Sequence, residues 1–123
     1  MKVLIDTNFF LIPGKFGVDF IKELERFGKP ELYTLDLVLR ELRMLAEGKG
    51  KDARNAKLGI KLIQQKNVRI LETRGNHTDE EMERLAAEGG FIVCTQDREL
   101  QRRLRNEDIE VIFLRQGKVL AKI

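Results

Sequence analysis

Short apolar runs alternate with longer stretches of helical spacing along this chain. Val3, Leu4 and Ile5 are a continuous apolar run of the kind expected of a strand buried on both faces. Val18, Ile21 and Leu24 then follow helical spacing, with Phe20 and Phe27 on an adjoining line, and Gly28 and Pro30 end that helix. Leu32 to Leu35 reads as a second strand. Two helices follow it, from about Leu37 to Glu47 and from about Asp52 to Gln65, separated by the basic turn Gly48-Lys49-Gly50-Lys51. Val68 to Leu71 is the third strand. A helix from Thr78 to about Glu88 opens with the capping-box pattern Thr78-x-x-Glu81 and stops at Gly89-Gly90. Phe91 to Thr95 is the fourth strand, Asp97 to about Asn106 a helix and Val111 to Leu114 the fifth strand. Val119 to Ile123 forms a last edge segment. Repeated strand–helix alternation with right-handed crossovers predicts a three-layer α/β/α sandwich around a mainly parallel, twisted, five-stranded sheet.

The parallel sheet gives the polar residues at the strand ends their interest, because ligands bind at the carboxyl rim of such sheets. The first strand stops at Asp6-Thr7-Asn8, and the fourth leads through Thr95-Gln96 into Asp97. Read alone, each aspartate is an N-cap before it is anything else. Glu41 shares the i, i+3, i+4, i+7 line of Val38, Leu42 and Leu45, so an otherwise apolar helix face carries a carboxylate inward. An inward carboxylate needs a cation, whether a metal or a neighbouring arginine or lysine. Among Asp79, Glu80 and Glu81, Asp79 lies on the line of Met82 and Ala86 and faces the core side. Glu80 aligns with Arg84 as a solvated pair, and Glu81 completes the capping box. Asp6, Glu41, Asp79 and Asp97 thus follow four successive strands and converge on one rim. Four carboxylates without basic partners would repel one another, and a hard, oxygen-preferring Mg²⁺ or Mn²⁺ resolves the conflict. Such a site suits phosphodiester hydrolysis.

Composition narrows the alternatives. The chain has 123 residues, enough for one domain spanning 1–123, with 42% hydrophobic and 35% charged residues. Serine is absent and His77, expected in a solvated loop, is the only histidine, which removes Ser/His/Asp nucleophilic chemistry. No zinc motif or phosphate-cradling glycine motif is present. Cys94 is the only cysteine and lies in an apolar run, which fits a packed thiol in a reducing, cytoplasmic compartment. No apolar run is long enough to span a membrane, and Met1 leads directly into the first strand, leaving no signal peptide.

The net charge of +3 is compatible with a polyanionic partner. With no tryptophan and only Tyr33 among tyrosines, nucleic-acid binding is expected to rest on backbone charge. Arg98, Arg102 and Arg105 align along the helix that begins at Asp97, with Arg103 flanking them. Arg40, Arg43, Lys49 and Lys51 make a second basic set beside Glu41. Either set is equally a solvated face with acidic counter-charges.

Taken together, Ile5-Asp6-Thr7-Asn8, the inward Glu41, Thr78-Asp79-Glu80 and Cys94-Thr95-Gln96-Asp97-Arg98-Glu99-Leu100 resemble the motifs of PIN-domain ribonucleases. The resemblance runs through essentially the whole chain, in order. The Thr95-x-Asp97-x-x-Leu100 stretch and its arginines look most like the branch related to ribosomal-RNA-processing nucleases, which has small archaeal members. The resemblance implies a metal-dependent endoribonuclease with acids at Asp6, Glu41, Asp79 and Asp97, and hydroxyl or amide support from Thr7, Asn8 and Thr95. Glu80 stands where the ribosomal branch often has a second aspartate. RNA, single-stranded or structured, is the expected partner, with pre-ribosomal RNA a candidate and a homodimer a candidate assembly. The alternatives are the toxin ribonuclease of a toxin–antitoxin pair and a non-catalytic RNA-binding module.

Overall fold

A computed structural model describes all 123 residues. Six strands form one sheet in the order β3-β2-β1-β4-β5-β6. Their ranges are β1 Lys2–Ile5, β2 Glu31–Leu35, β3 Arg69–Leu71, β4 Ile92–Cys94, β5 Val111–Arg115 and β6 Val119–Lys122. The five strands anticipated from the sequence are parallel to one another. The edge segment after Gly117 adds a sixth, which pairs antiparallel with β5 from Ile112↔Lys122 to Arg115↔Val119. Its alternating, half-apolar Val-Leu-Ala-Lys pattern suits an edge strand and gives too short a signal to stand as a strand by itself.

Seven helices connect the strands: α1 Thr7–Phe10, α2 Ile12–Phe16, α3 Phe20–Leu24, α4 Asp36–Ala46, α5 Gly50–Gln65, α6 Thr78–Gly89 and α7 Arg98–Asn106. The first two are the elements that periodicity does not reveal, because each is about one turn long. Both are held by packing, for α1 and α2 lie against α5, and α4 packs along α5. Helices α6 and α7 pack on each other. Right-handed crossovers put α1 to α5 on one face and α6 and α7 on the other. The side chains of Val3, Leu4, Ile5, Phe9, Phe10 and Phe20 are fully buried. Phe20 meets Phe9 and Phe10 edge-on, with ring centroids 5.3 and 5.9 Å apart.

Strand order positions the site. From β1 the chain moves outward to β2 and β3, then returns across the sheet to lay β4 on the other side of β1. Between β1 and β4 the winding direction reverses, and a crevice opens there beyond the carboxyl ends of the strands. Asp6 leaves β1 and Asp97 follows β4, so these two acids flank the crevice. The Asp6 amide donates to the Cys94 carbonyl at 3.0 Å, locking the two strand ends together.

Candidate active site

Beyond the carboxyl rim lies an open cleft of about 700 Å³. Asp6, Glu41, Asp79 and Asp97 all line it, with Thr7, Asn8 and Thr78. Each acid is delivered by a different βα junction.

Asp6 is both a helix cap and a cleft residue. It is the N-cap of α1, its Oδ1 accepting from the Thr7 amide at 2.8 Å. Its Oδ2 accepts from the Thr95 hydroxyl at 2.7 Å and from the Asn8 amide group at 3.3 Å. Only 8% of the residue is exposed. Burial pushes the Asp6 carboxyl above its ordinary range against the lowering effect of the Thr95 and Thr7 hydrogen bonds, and the Glu41 and Asp97 charges add to the rise. Asn8 ties the two strand ends by accepting from the Gln96 amide at 3.0 Å. Thr95 in turn accepts from the Asp97 amide at 3.1 Å. Asp97 caps α7, accepting from the Leu100 amide at 3.1 Å, and is exposed to solvent.

Glu41 has neither arginine nor lysine beside it. Its carboxylate accepts hydroxyl hydrogen bonds instead, from Thr7 on α1 and from Thr78 on α6 at 3.0 Å. Arg40 and Arg43, the sequence neighbours that could have neutralised it, are exposed and make no ion pair. Val38 and Leu42 on its helix face are buried as expected. Leu45 is 38% exposed, and with Met44, 67% exposed, and Leu11 it forms an apolar edge of the cleft.

The third junction departs from the sequence reading in three respects. Asp79 does not face the core, for its side chain is 48% exposed. It is not free of basic partners, because its Oδ2 meets Arg103 of α7 at 3.1 Å. Nor does Thr78 cap α6: His77 occupies the N-cap position and the Thr78 hydroxyl turns to Glu41. Glu81 is therefore released from a capping box and does something else. It is buried, accepts from the Arg74 and Gly75 amides of the preceding loop, and pairs with Arg84 at 2.9 Å. Arg84, the Gly75 amide and the Arg74 amide together hold its carboxyl down to about 2. Arg84 bonds Glu81 and Glu88, not Glu80. His77 is exposed as expected, yet it lines the cleft beside Asn76. Its place in the sequence signals this, since His77 sits at the same βα junction as Asp79. Met44 and Leu45, three and four residues after Glu41, were legible in the same way.

The basic residues divide. Arg98, Arg102 and Arg105 share one side of α7 and line a separate depression of about 610 Å³ that adjoins the cleft where Arg98 follows Asp97. Arg102 is paired with Glu99 at 2.5 Å. Arg103 belongs to the opposite side, bridging Asp79 and Glu83 and so clamping α7 to α6. Arg40, Arg43, Lys49 and Lys51 are all exposed and do not line the cleft.

No three of the chain's His, Cys, Asp and Glu side chains lie close enough together to make a ready-built ion cage. Mg²⁺ does not require one, as it binds through one or two carboxylates and keeps several waters. Asp6, Glu41 and Asp97 offer hard oxygen donors around one cleft, with no arginine or lysine hydrogen-bonded to any of them. The residues present therefore fit a hard divalent ion.

The PIN like domain model matches residues 3–117. Ribonuclease VapC4 of Methanocaldococcus jannaschii is 32% identical over 123 residues, covering 95% of this chain and 92% of the relative. Ribonuclease VapC9 of Archaeoglobus fulgidus is 28% identical over 116 residues, covering 94% and 84%. Among solved structures, the PIN domain endonuclease Utp24 superposes with a TM-score of 0.82 at 20% identity, covering 98% of this chain and 90% of that one. A domain of a functionally unknown protein from M. jannaschii superposes at 0.60 with 22% identity, covering 93% and 91%. A sheet that reverses its winding beside Asp6 and Asp97, and a match extending over nearly the whole chain, lead to one assignment: this chain belongs to the PIN-like domain family.

Proposed function

We propose that this chain is an endoribonuclease that hydrolyses RNA phosphodiester bonds with Mg²⁺ or Mn²⁺. The observation that carries the reading is the meeting of Asp6, Glu41, Asp79 and Asp97 in one cleft at the reversal point of the sheet, three of them without a basic partner. A surface evolved only to hold phosphate would not collect negative charge, which disfavours a non-catalytic RNA-binding module. The names of both curated relatives, each a ribonuclease, support the same reaction here.

In this reading Asp6, Glu41 and Asp97 are the principal ligands, and Asp79 joins them when it leaves Arg103. Bound there, the ion supplies Lewis-acid polarisation of the phosphoryl group and a water of lowered pKa. The chain's own residues do the positioning. Thr95 and Asn8 fix the Oδ2 edge of Asp6, and Thr7 and Thr78 fix both oxygens of Glu41, so neither carboxylate is free to rotate away. Thr95 also holds the Asp97 amide, coupling the acids on either side of the crevice. Arg98, Arg102 and Arg105 carry the RNA backbone away from the cleft, and Arg40, Arg43, Lys49 and Lys51 supply a more diffuse attraction.

The RNA acted on is either a ribosomal precursor, as the Thr95-x-Asp97-x-x-Leu100 stretch suggests, or the target of a toxin ribonuclease restrained by an antitoxin. The name VapC shared by both curated relatives favours the toxin reading. Cytoplasmic residence is part of the proposal and is supported by the buried, unpaired Cys94. The test is cleavage of labelled RNA with Mn²⁺, with Mg²⁺ and with EDTA. Cleavage that requires the ion and disappears in Asp6→Asn and Asp97→Asn is expected. Equal cleavage by either folded variant would reject the assignment.

A further inference from the structure

The depression beside the cleft has a floor that its charge does not explain. Phe113 of β5 lies between Val111, Ile112 and Leu114, all buried, yet is itself only partly covered. The reason is that α7 buries Leu100 and Leu104 and presents Arg98, Gln101, Arg102 and Arg105 to this side. Although those arginines line the same depression, no guanidinium stacks on the Phe113 ring and no other aromatic ring meets it. An apolar ring left open among cations suits a ligand that is flat on one face and anionic at its edges.

Charge pairing sharpens the picture. Arg102 is engaged by Glu99, whereas Arg98 and Arg105 have no carboxylate partner. Seven residues of helix separate those two, about 10 Å along α7. Two long, flexible guanidinium side chains at that spacing can reach neighbouring phosphates of a single strand, and Phe113 lines the same depression. Gln101 is held in place by donating to the Thr95 carbonyl at 2.8 Å, which ties this wall to the residue that positions Asp6 and Asp97.

We infer that this depression is a nucleotide subsite: Arg98 and Arg105 bind two phosphates of a single strand, and Phe113 stacks the unpaired base between them. The inference rests on the ribonuclease reading and deepens it, placing the strand that leaves the cleft across α7. A base inside a duplex is already stacked and cannot enter. The ring concerned is one phenylalanine in a strand, which carries no sequence signature of stacking and becomes available only through the polar face α7 turns to it.

The experiment uses the full chain in EDTA, so that binding is read without cleavage. Fluorescence anisotropy follows a labelled single-stranded oligouridylate, the same oligomer made abasic, and a duplex RNA. Phe113→Leu is expected to weaken oligouridylate binding about tenfold, the scale of one lost base stack, and to leave the abasic oligomer and the duplex unaffected. Arg98→Ala with Arg105→Ala should lower the log–log salt slope by between about one and two units, for two lost phosphate contacts. As a check independent of variant folding, 5-bromouridine RNA irradiated on the wild-type protein should cross-link within the β5 peptide that contains Phe113. Cross-links confined to cleft residues, or equal oligouridylate affinity in folded Phe113→Leu, overturn the subsite. If the wild type cleaves RNA while these results are negative, only the subsite fails. If the wild type neither binds nor cleaves RNA, the ribonuclease reading fails with it.

Discussion

Gly59 decides how close α5 can approach α1, and its replacement gives a quantitative test of the packing beneath the cleft. It is buried in the middle of α5, and a Cβ there would lie 2.8 Å from the Phe10 carbonyl oxygen and 2.9 Å from the Phe10 Cβ. Ordinary contacts of this kind sit at about 3.5 Å or more, so α1 would have to be pushed away from α5. Overpacking against a fixed backbone costs about 1–3 kcal/mol, while alanine in a helix interior recovers about 1 kcal/mol relative to glycine. Because the clash is with backbone, the upper part of that range applies, and Gly59→Ala should lose about 1–2 kcal/mol, or about 4–8 °C in Tm. Gly14 is the control. A Cβ there would run still closer to other atoms, but the two nearest are the side-chain oxygen and Cγ of Asn55, which can swing aside, leaving the Asn55 Cβ at 3.1 Å as the one tight contact. Gly14→Ala should therefore cost less than Gly59→Ala. Since α1 carries Thr7 to Glu41, the Gly59 variant should also bind Mn²⁺ more weakly than the Gly14 variant. Thermal melts in EDTA and metal titrations of both proteins make the comparison. A larger loss in Gly14→Ala than in Gly59→Ala would refute the argument, because raw proximity and not the stiffness of the neighbour would then govern the cost.

Three further outcomes follow from the site. The Asp6 pKa is raised, so the native state holds more protons than the unfolded chain between the unfolded value of about 4 and the folded one. Its contribution is full below the unfolded pKa and is lost as pH rises through the folded pKa. In urea melts with EDTA, Asp6→Asn should therefore gain on the wild type from pH 4 to pH 7, and parallel pH curves would contradict this. Glu81 has the opposite sign: its folded pKa of about 2 lies below its ordinary value of 4.5, so its contribution is present above about 4.5 and is lost as pH falls toward 2. Glu81→Gln should unfold with less dependence on pH in that acid window, and should show faster amide exchange at Arg74 and Gly75. Finally, Arg103→Met removes a cation from Asp79 and part of the α6–α7 clamp. It should lower metal-free stability by about 1 kcal/mol, as expected for part-exposed pairs, while tightening Mn²⁺ binding several-fold. Weaker Mn²⁺ binding would show instead that Asp79 depends on Arg103 for its position.

Much of this arrangement is written locally in the chain, and what is not depends on tertiary contacts. Val3 to Ile5 and Ile92 to Cys94 announce buried parallel strands because both of their faces are covered, and the acids that follow them inherit their place from topology. Glu41 stands out because a carboxylate interrupts an apolar line. What periodicity could not reveal was its solution: two threonine hydroxyls brought from α1 and α6, neither near it in sequence. Thr78 and Glu81 show the converse case. Their spacing satisfies a capping box, but each has a stronger partner elsewhere, Glu41 for the one and the Arg74–Gly75 amides with Arg84 for the other. Likewise Arg103, indistinguishable in sequence from its neighbours, turns to Asp79 and Glu83 only because α6 packs beside α7. The one-turn helices α1 and α2 are too short to carry a period, and they exist because α5 covers them.

The most direct test of the account is a calorimetric titration of Mn²⁺ into the metal-free protein and into Asp6→Asn, Glu41→Gln and Asp97→Asn, each first shown to be folded. One shared site predicts saturable binding by the wild type and a loss of at least about tenfold in affinity for every variant, since each removes a charged ligand from the same ion. A wild type that binds no Mn²⁺, or variants that bind it as tightly as the wild type, would contradict the claim that these acids act together.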